Sequence, residues 1–118
     1  MFDYQRELKL KMNKLAHEVY RLTKNFPKNE SYGLVSQLNR ASLSVILNYV
    51  EGYARITKGN RLNFLEMSYG SLKETQYLLH FTCTENLINT KDYLILSKLA
   101  DEIGAMTWTE INNLSKNN

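Results

Sequence analysis

Leu8, Met12, Leu15, Val19, Leu22 and Phe26 recur at alternating steps of four and three. That spacing places six apolar side chains on one seam of a helix, which predicts a first helix over residues 3 to 25. Phe26-Pro27-Lys28-Asn29-Glu30 then interrupts it, because proline has no amide donor and drives its predecessor out of helical geometry. A second helix is expected from Glu30 to Thr57, followed by a Lys58-Gly59-Asn60 turn in which Gly59 takes positive φ as a C-cap and Asn60 caps the next helix. The third carries Leu62, Leu65, Tyr69, Leu72, Gln76, Leu79 and Cys83 on one seam, with Phe64, Met67, Ser71, Thr75 and Leu78 on another. After Asn86-Leu87-Ile88-Asn89, Thr90 is read as the cap of a fourth helix with Tyr93, Leu96, Ala100, Ile103, Thr107, Ile111 and Leu114 along one face. The Asn-rich end, residues 112 to 118, is expected to fray.

The second helix breaks the simple pattern. Gln37, Arg40, Ser44, Asn48, Glu51 and Arg55 make a polar stripe, whereas Leu34, Leu38, Leu43, Val45, Ile46, Leu47 and Val50 cover most of the remaining circumference. An amphipathic helix turns its polar face to water and needs only one apolar face. The distribution therefore predicts a central helix whose polar groups find partners inside the protein: a buried network of Gln37, Arg40, Ser44, Asn48 and Glu51 with Ser71 and Glu74 of the third helix. Four long helices joined by short connections read as an all-α, up-down-up-down antiparallel four-helix bundle, with residues 1 to 118 as a single domain. The apolar residues of the second and third helices cover more circumference than one bundle core uses, which predicts a homo-oligomer.

Composition agrees. Of 118 residues, 43% are hydrophobic and one is proline, values that suit a folded helical domain able to bury a core unaided. The single Cys83 excludes an internal disulfide. The chain opens on charged, helix-periodic sequence and contains no run of about 18 apolar residues, so no membrane association and a cytoplasmic location are expected.

Net charge is +3, but unevenly placed: residues 1 to 61 hold 11 Lys and Arg against 5 Asp and Glu, and residues 62 to 118 hold 4 against 7. The halves are thus +6 and −3. Arg6, Lys9, Lys14, Arg21, Lys24, Lys28, Arg55, Lys58 and Arg61 are the candidate contacts to RNA or DNA phosphates, read against the plainer alternative of a solvated helix face. The tyrosines, Tyr53 near Arg55 among them, fit an interface better than a base-stacking platform. Trp108 is an anchor either in the core or between subunits.

Catalytic chemistry finds little support. The polar residues of the second and third helices resemble register-setting groups more than a catalytic cluster. Neither His17 nor His80 follows a carboxylate by three residues, as a di-iron bundle requires, so no metal is expected. His17 reads as a surface or boundary residue and Cys83 as a small core residue. The five glycines are isolated, which excludes a glycine-rich phosphate loop, and Gly52 and Gly70 point to close helix approach. No enzyme activity and no cofactor are expected.

Phe26-Pro27, Glu30, Tyr32-Gly33-Leu34, Gln37, Arg40-Ala41, Ser44, Asn48 and Glu51-Gly52, followed by Phe64-Leu65 and Gly70-Ser71-Leu72-x-Glu74, form an ordered set. In this set the chain resembles the bacterial four-helix-bundle proteins of intervening sequences in large-subunit ribosomal RNA genes, to which the accessory variability proteins of diversity-generating retroelements are related. The resemblance implies a pentameric ring without enzymatic activity or cofactor. The retroelement relatives imply binding of nucleic acid together with a reverse transcriptase. This chain departs from the usual Ile-Pro-Ala-Asn-Ile-Ala-Glu-Gly stretch, reading Val45-Ile46-Leu47-Asn48-Tyr49-Val50-Glu51-Gly52, and is less basic than those relatives.

Overall fold

A computed structural model describes residues 3–116, the side chain of Ser31 excepted. Four α-helices account for most of it: α1 Tyr4–Thr23, α2 Ser36–Tyr53, α3 Lys58–Thr84 and α4 Thr90–Lys116, with a 3-10 turn Lys28–Glu30 and a π turn Ser31–Val35 before α2. Each helix packs antiparallel on the next, and α4 closes the bundle against α1. The expected up-down-up-down four-helix bundle is what forms, 48 Å along its longest axis.

Helix ends follow side-chain chemistry, and several differ from the expected boundaries. Asp3 caps α1, its carboxylate accepting from the Arg6 amide at 3.1 Å. Pro27 stops the helix as expected, but α2 starts at Ser36 because the intervening residues wind first as 3-10 and then as π turns. Thr57, not Asn60, caps α3. Its hydroxyl oxygen accepts from the Asn60 amide at 3.2 Å, so Gly59 belongs to the first turn of α3, and no glycine among the described residues has positive φ. The left-handed residue is Asn86, at φ 60° just after α3, a conformation asparagine tolerates better than most side chains. Asn89, not Thr90, caps α4 through a 2.7 Å bond from the Asp92 amide. Residues 112 to 116 remain helical, so the expected fraying does not occur there; Asn117 and Asn118 lie outside the described residues.

All six seam residues of the first helix are buried, as are Leu96, Ala100, Ile103, Thr107 and Ile111 of α4. Helix α3 contributes Leu65, Ser68, Leu72, Thr75, Leu78 and Leu79. Helix α2 contributes Leu38, Ala41, Ser42, Val45, Tyr49 and Gly52. At Gly52 an added Cβ would meet Phe64 Cβ at 3.1 Å and the Arg61 carbonyl at 3.3 Å, so the expected close approach holds there. Gly70 is different: beyond the adjoining residues and backbone of its own helix, nothing lies within 4 Å of that position.

The second-helix expectation is inverted. Gln37, Arg40, Glu51 and Glu74 are exposed, while Ser44, Asn48 and Ser71 are half-buried. The core needs only the one stripe from Leu38 to Gly52, which leaves the polar stripe outside the bundle. Leu43, Leu47 and Val50 are left outside with it, at 49%, 57% and 49% exposure.

Candidate functional site on the outer faces of the bundle

The buried polar chemistry of the bundle lies elsewhere than expected. Tyr49 and Tyr53 of α2 donate to the two carboxylate oxygens of Glu110 on α4, a tie across the core. Burial above all, and then the hydrogen bond to Glu110, raises both phenol pKa values from the ordinary 10. The Tyr4 hydroxyl donates to the Met106 carbonyl at 2.9 Å, and Ser68 donates to the Val45 carbonyl at 2.6 Å, tying α3 to α2. Sequence reasoning missed the tyrosine pair. Its signal was the four-residue spacing of Tyr49 and Tyr53, which puts both hydroxyls over one turn of a facing helix.

The residues expected to form a network make local contacts instead. Asn48 donates to the Ser44 carbonyl at 2.9 Å, and Glu51 pairs with Arg55 one turn on. Arg40 and Glu74 make no ion pair among the described residues.

The nine candidate cations separate into three groups. Lys14 and Arg21 line a groove of about 390 Å³ between α1 and α4 together with Glu18, Asp92, Lys98 and Glu102. Arg21 pairs with Glu18 at 2.6 Å, so this groove is nearly neutral. Arg55, Lys58 and Arg61 gather at the α2–α3 turn. There the Arg55 guanidinium stacks 4.7 Å from the Phe64 ring and that of Arg61 lies 5.0 Å from Tyr53. Arg6, Lys9, Lys24 and Lys28 are exposed, Lys24 lying over the Tyr20 ring. On the α2 side of α1, two grooves run past Gln5, Lys9, Asn13, His17 and Tyr20 on one wall and Asn39, Arg40, Leu43 and Val50 on the other. No carboxylate lines either groove. The larger, about 520 Å³, is mainly apolar.

Among the described residues no three His, Cys, Asp or Glu side chains come together as metal ligands, and no helix is long and apolar enough to cross a membrane. His17 is exposed and Cys83 half-buried. Trp108 is half-exposed, its ring 5.5 Å from Tyr69, at the outer edge of the α3–α4 contact.

Residues 6–109 match the family model described as 23S rRNA-intervening sequence protein. The chain belongs to that family. Among solved structures, the bundle is similar to the crystal structure of a protein of unknown function from the S23 ribosomal protein family of Bacteroides thetaiotaomicron VPI-5482. The TM-score is 0.86 at 19% identity, over 93% of this chain and 99% of that one. At that identity the likeness establishes the shared fold. No protein with a curated description matches. Membership in the intervening-sequence family thus fixes the bundle, and the outer faces carry the question of function.

Proposed function

We propose that this intervening-sequence family protein is a non-enzymatic, cytoplasmic, homo-oligomeric scaffold or adaptor. It holds RNA or DNA weakly together with a protein partner such as a reverse transcriptase. The observation that carries the oligomer is the outward placement of large apolar side chains on α2 and α3: Leu43, Leu47, Val50, Met67 and Tyr77 are each close to half exposed or more. Exposed large apolar side chains recurring along the outer side of two adjacent helices fit an interaction surface. A ring of subunits covers it, with the pentamer of the resemblance as the expected stoichiometry. Light scattering at micromolar concentration tests this, and a compact monomer refutes it.

The nucleic-acid role rests on the α2 side of α1, where Lys9 lines a groove without carboxylates and Lys24 lies exposed over the Tyr20 ring. Repetition around a ring lets weak contacts act together. Replacing Lys9 and Lys24 by Gln is expected to weaken binding to unrelated RNA and DNA sequences alike and to lower the salt slope by about 2 for each subunit that engages the nucleic acid, since each phosphate contact contributes about 0.9. Replacing Lys14 and Arg21, which face Glu18, Asp92 and Glu102, is expected to change it less. Absence of binding at low salt favours the alternative, a purely protein-binding or structural assembly. The nearly neutral α1–α4 groove supports that alternative.

A further inference from the structure

Two exposed seams face outward on adjacent helices. On α2, Arg40, Leu43 and Leu47 follow one another at steps of three and four; on α3, Met67, Gly70 and Glu74 do the same. Each is the spacing of a helix that packs against another helix, and although Arg40 and Leu43 border the groove beside α1, the bundle covers neither seam. Each carries one charge, of opposite sign.

The fold also fixes their relative heights. The Ser68 hydroxyl bond to the Val45 carbonyl and the packing of Phe64 against Gly52 set the antiparallel register of α2 and α3. Counting from Val45 and Ser68, Leu43 lies level with Gly70, Leu47 with Met67 and Arg40 with Glu74; counting from Gly52 and Phe64 offsets these pairs by two to three residues, so they are level to within about one helical turn of 5.4 Å. A cyclic assembly whose axis runs along the bundle leaves every residue at its own height. The α2 seam of one subunit then meets the α3 seam of the next in this same order.

The side chains suit that meeting. Gly70 lies exposed in the interior of α3, where glycine weakens a helix and where, apart from the adjoining residues and backbone of α3 itself, nothing comes within 4 Å of a Cβ position. It leaves the α3 backbone bare at about the level of Leu43. Leu47 and Met67, 57% and 46% exposed, supply apolar area beside it. Covering Arg40 or Glu74 alone strands a charge, whereas covering them together pairs it, so the register that joins them is the one the charges permit.

We propose that a second copy of this chain docks its α3 seam on the α2 seam, with Leu43 seated over Gly70 of the neighbour and Arg40 paired with its Glu74. This rests on the oligomeric reading above and assigns its contact. Arg40→Glu and Glu74→Arg are each expected to raise the concentration of half-dissociation by at least about tenfold, and the double variant to restore most of it. Sedimentation velocity over a dilution series reads this, with circular dichroism confirming helix content. In a Cys83→Ser background, oxidation of a mixture of Leu43→Cys and Gly70→Cys chains is expected to give a disulfide-linked dimer that neither chain gives alone. If the wild type associates but the double reversal stays as weak as the single ones and the mixture does not cross-link, the seam pairing is overturned and the oligomer stands. A monomeric wild type overturns both.

Discussion

Helices α1 and α2 treat their apolar residues differently. In α1 the seam from Leu8 to Leu22 lies wholly inside, and the rest of its circumference is largely polar apart from Leu10 and Tyr20. In α2 the seam from Leu38 to Tyr49 does the same work, but Leu43, Leu47 and Val50 stand outside among polar neighbours. A bundle asks for one stripe per helix. The first helix answers that demand, and the second answers it and a further one that the single chain does not make.

The largest effect separates the two kinds of residue. Leu15 is completely buried, so Leu15→Ala loses its transfer energy and leaves a cavity, a cost of about 2–5 kcal/mol. Leu47→Ala removes as many atoms from a half-exposed position and is expected to change folding by no more than about 0.5 kcal/mol. Urea unfolding on chains diluted below the association midpoint measures both. Equal losses would mean that α2 is packed on its outer side within one chain, and the contrast between the helices would disappear.

The polar interior offers a second measurement. Tyr49→Phe keeps the ring and removes one of the two hydroxyl donors to Glu110, at an expected cost of about 1.5–3 kcal/mol for a bond to a charged acceptor. The pH dependence has a definite sign. Both phenols have folded-state pKa values raised above the ordinary 10, so the stability they contribute is complete below pH 10 and declines as pH rises beyond it, where the unfolded chain releases protons that the folded chain retains. Thermal melts of the wild type are expected to fall more steeply above pH 10 than those of a Tyr49→Phe, Tyr53→Phe variant. Parallel curves would remove the pair from the buried tie.

These contrasts show how far the sequence could be read. The α1 and α4 seams were legible because an uninterrupted 3-4 spacing on a helix with one apolar face leaves a single inward orientation. The site was harder. On α2 the apolar residues surround the polar stripe, and periodicity alone does not say which of two faces meets the core. Val45 and Leu43 are equally hydrophobic, and only the partner helices decide that one is buried and the other exposed. The charges of the basic half were visible too, but pairing depends on height along neighbouring helices. The Glu18–Arg21 pair, three residues apart on α1, is legible locally, but nothing local announces that Asp92 and Glu102 of α4 line the same groove whereas Lys9 lines one without carboxylates.

The smallest effect has opposite signs in folding and in assembly. Gly70 lies inside α3 with ordinary helical φ and open space where a Cβ would stand. Alanine there restricts the unfolded chain and disturbs no neighbour, so Gly70→Ala is expected to stabilise the isolated chain by about 0.4–1 kcal/mol. The same methyl group takes part of the space over the bare backbone where the Leu43 side chain of a neighbouring copy would sit, so dissociation is expected at lower dilution than in the wild type. Gly52→Ala is the internal control. There the added Cβ meets Phe64 and the Arg61 carbonyl of its own chain, and folding is expected to weaken instead. Chemical unfolding below the association midpoint and sedimentation velocity above it give the two readings for each variant. If Gly70→Ala stabilises the chain and leaves association unchanged, the open space over Gly70 is unoccupied in the assembly, and the outer face of α3 meets its neighbour elsewhere.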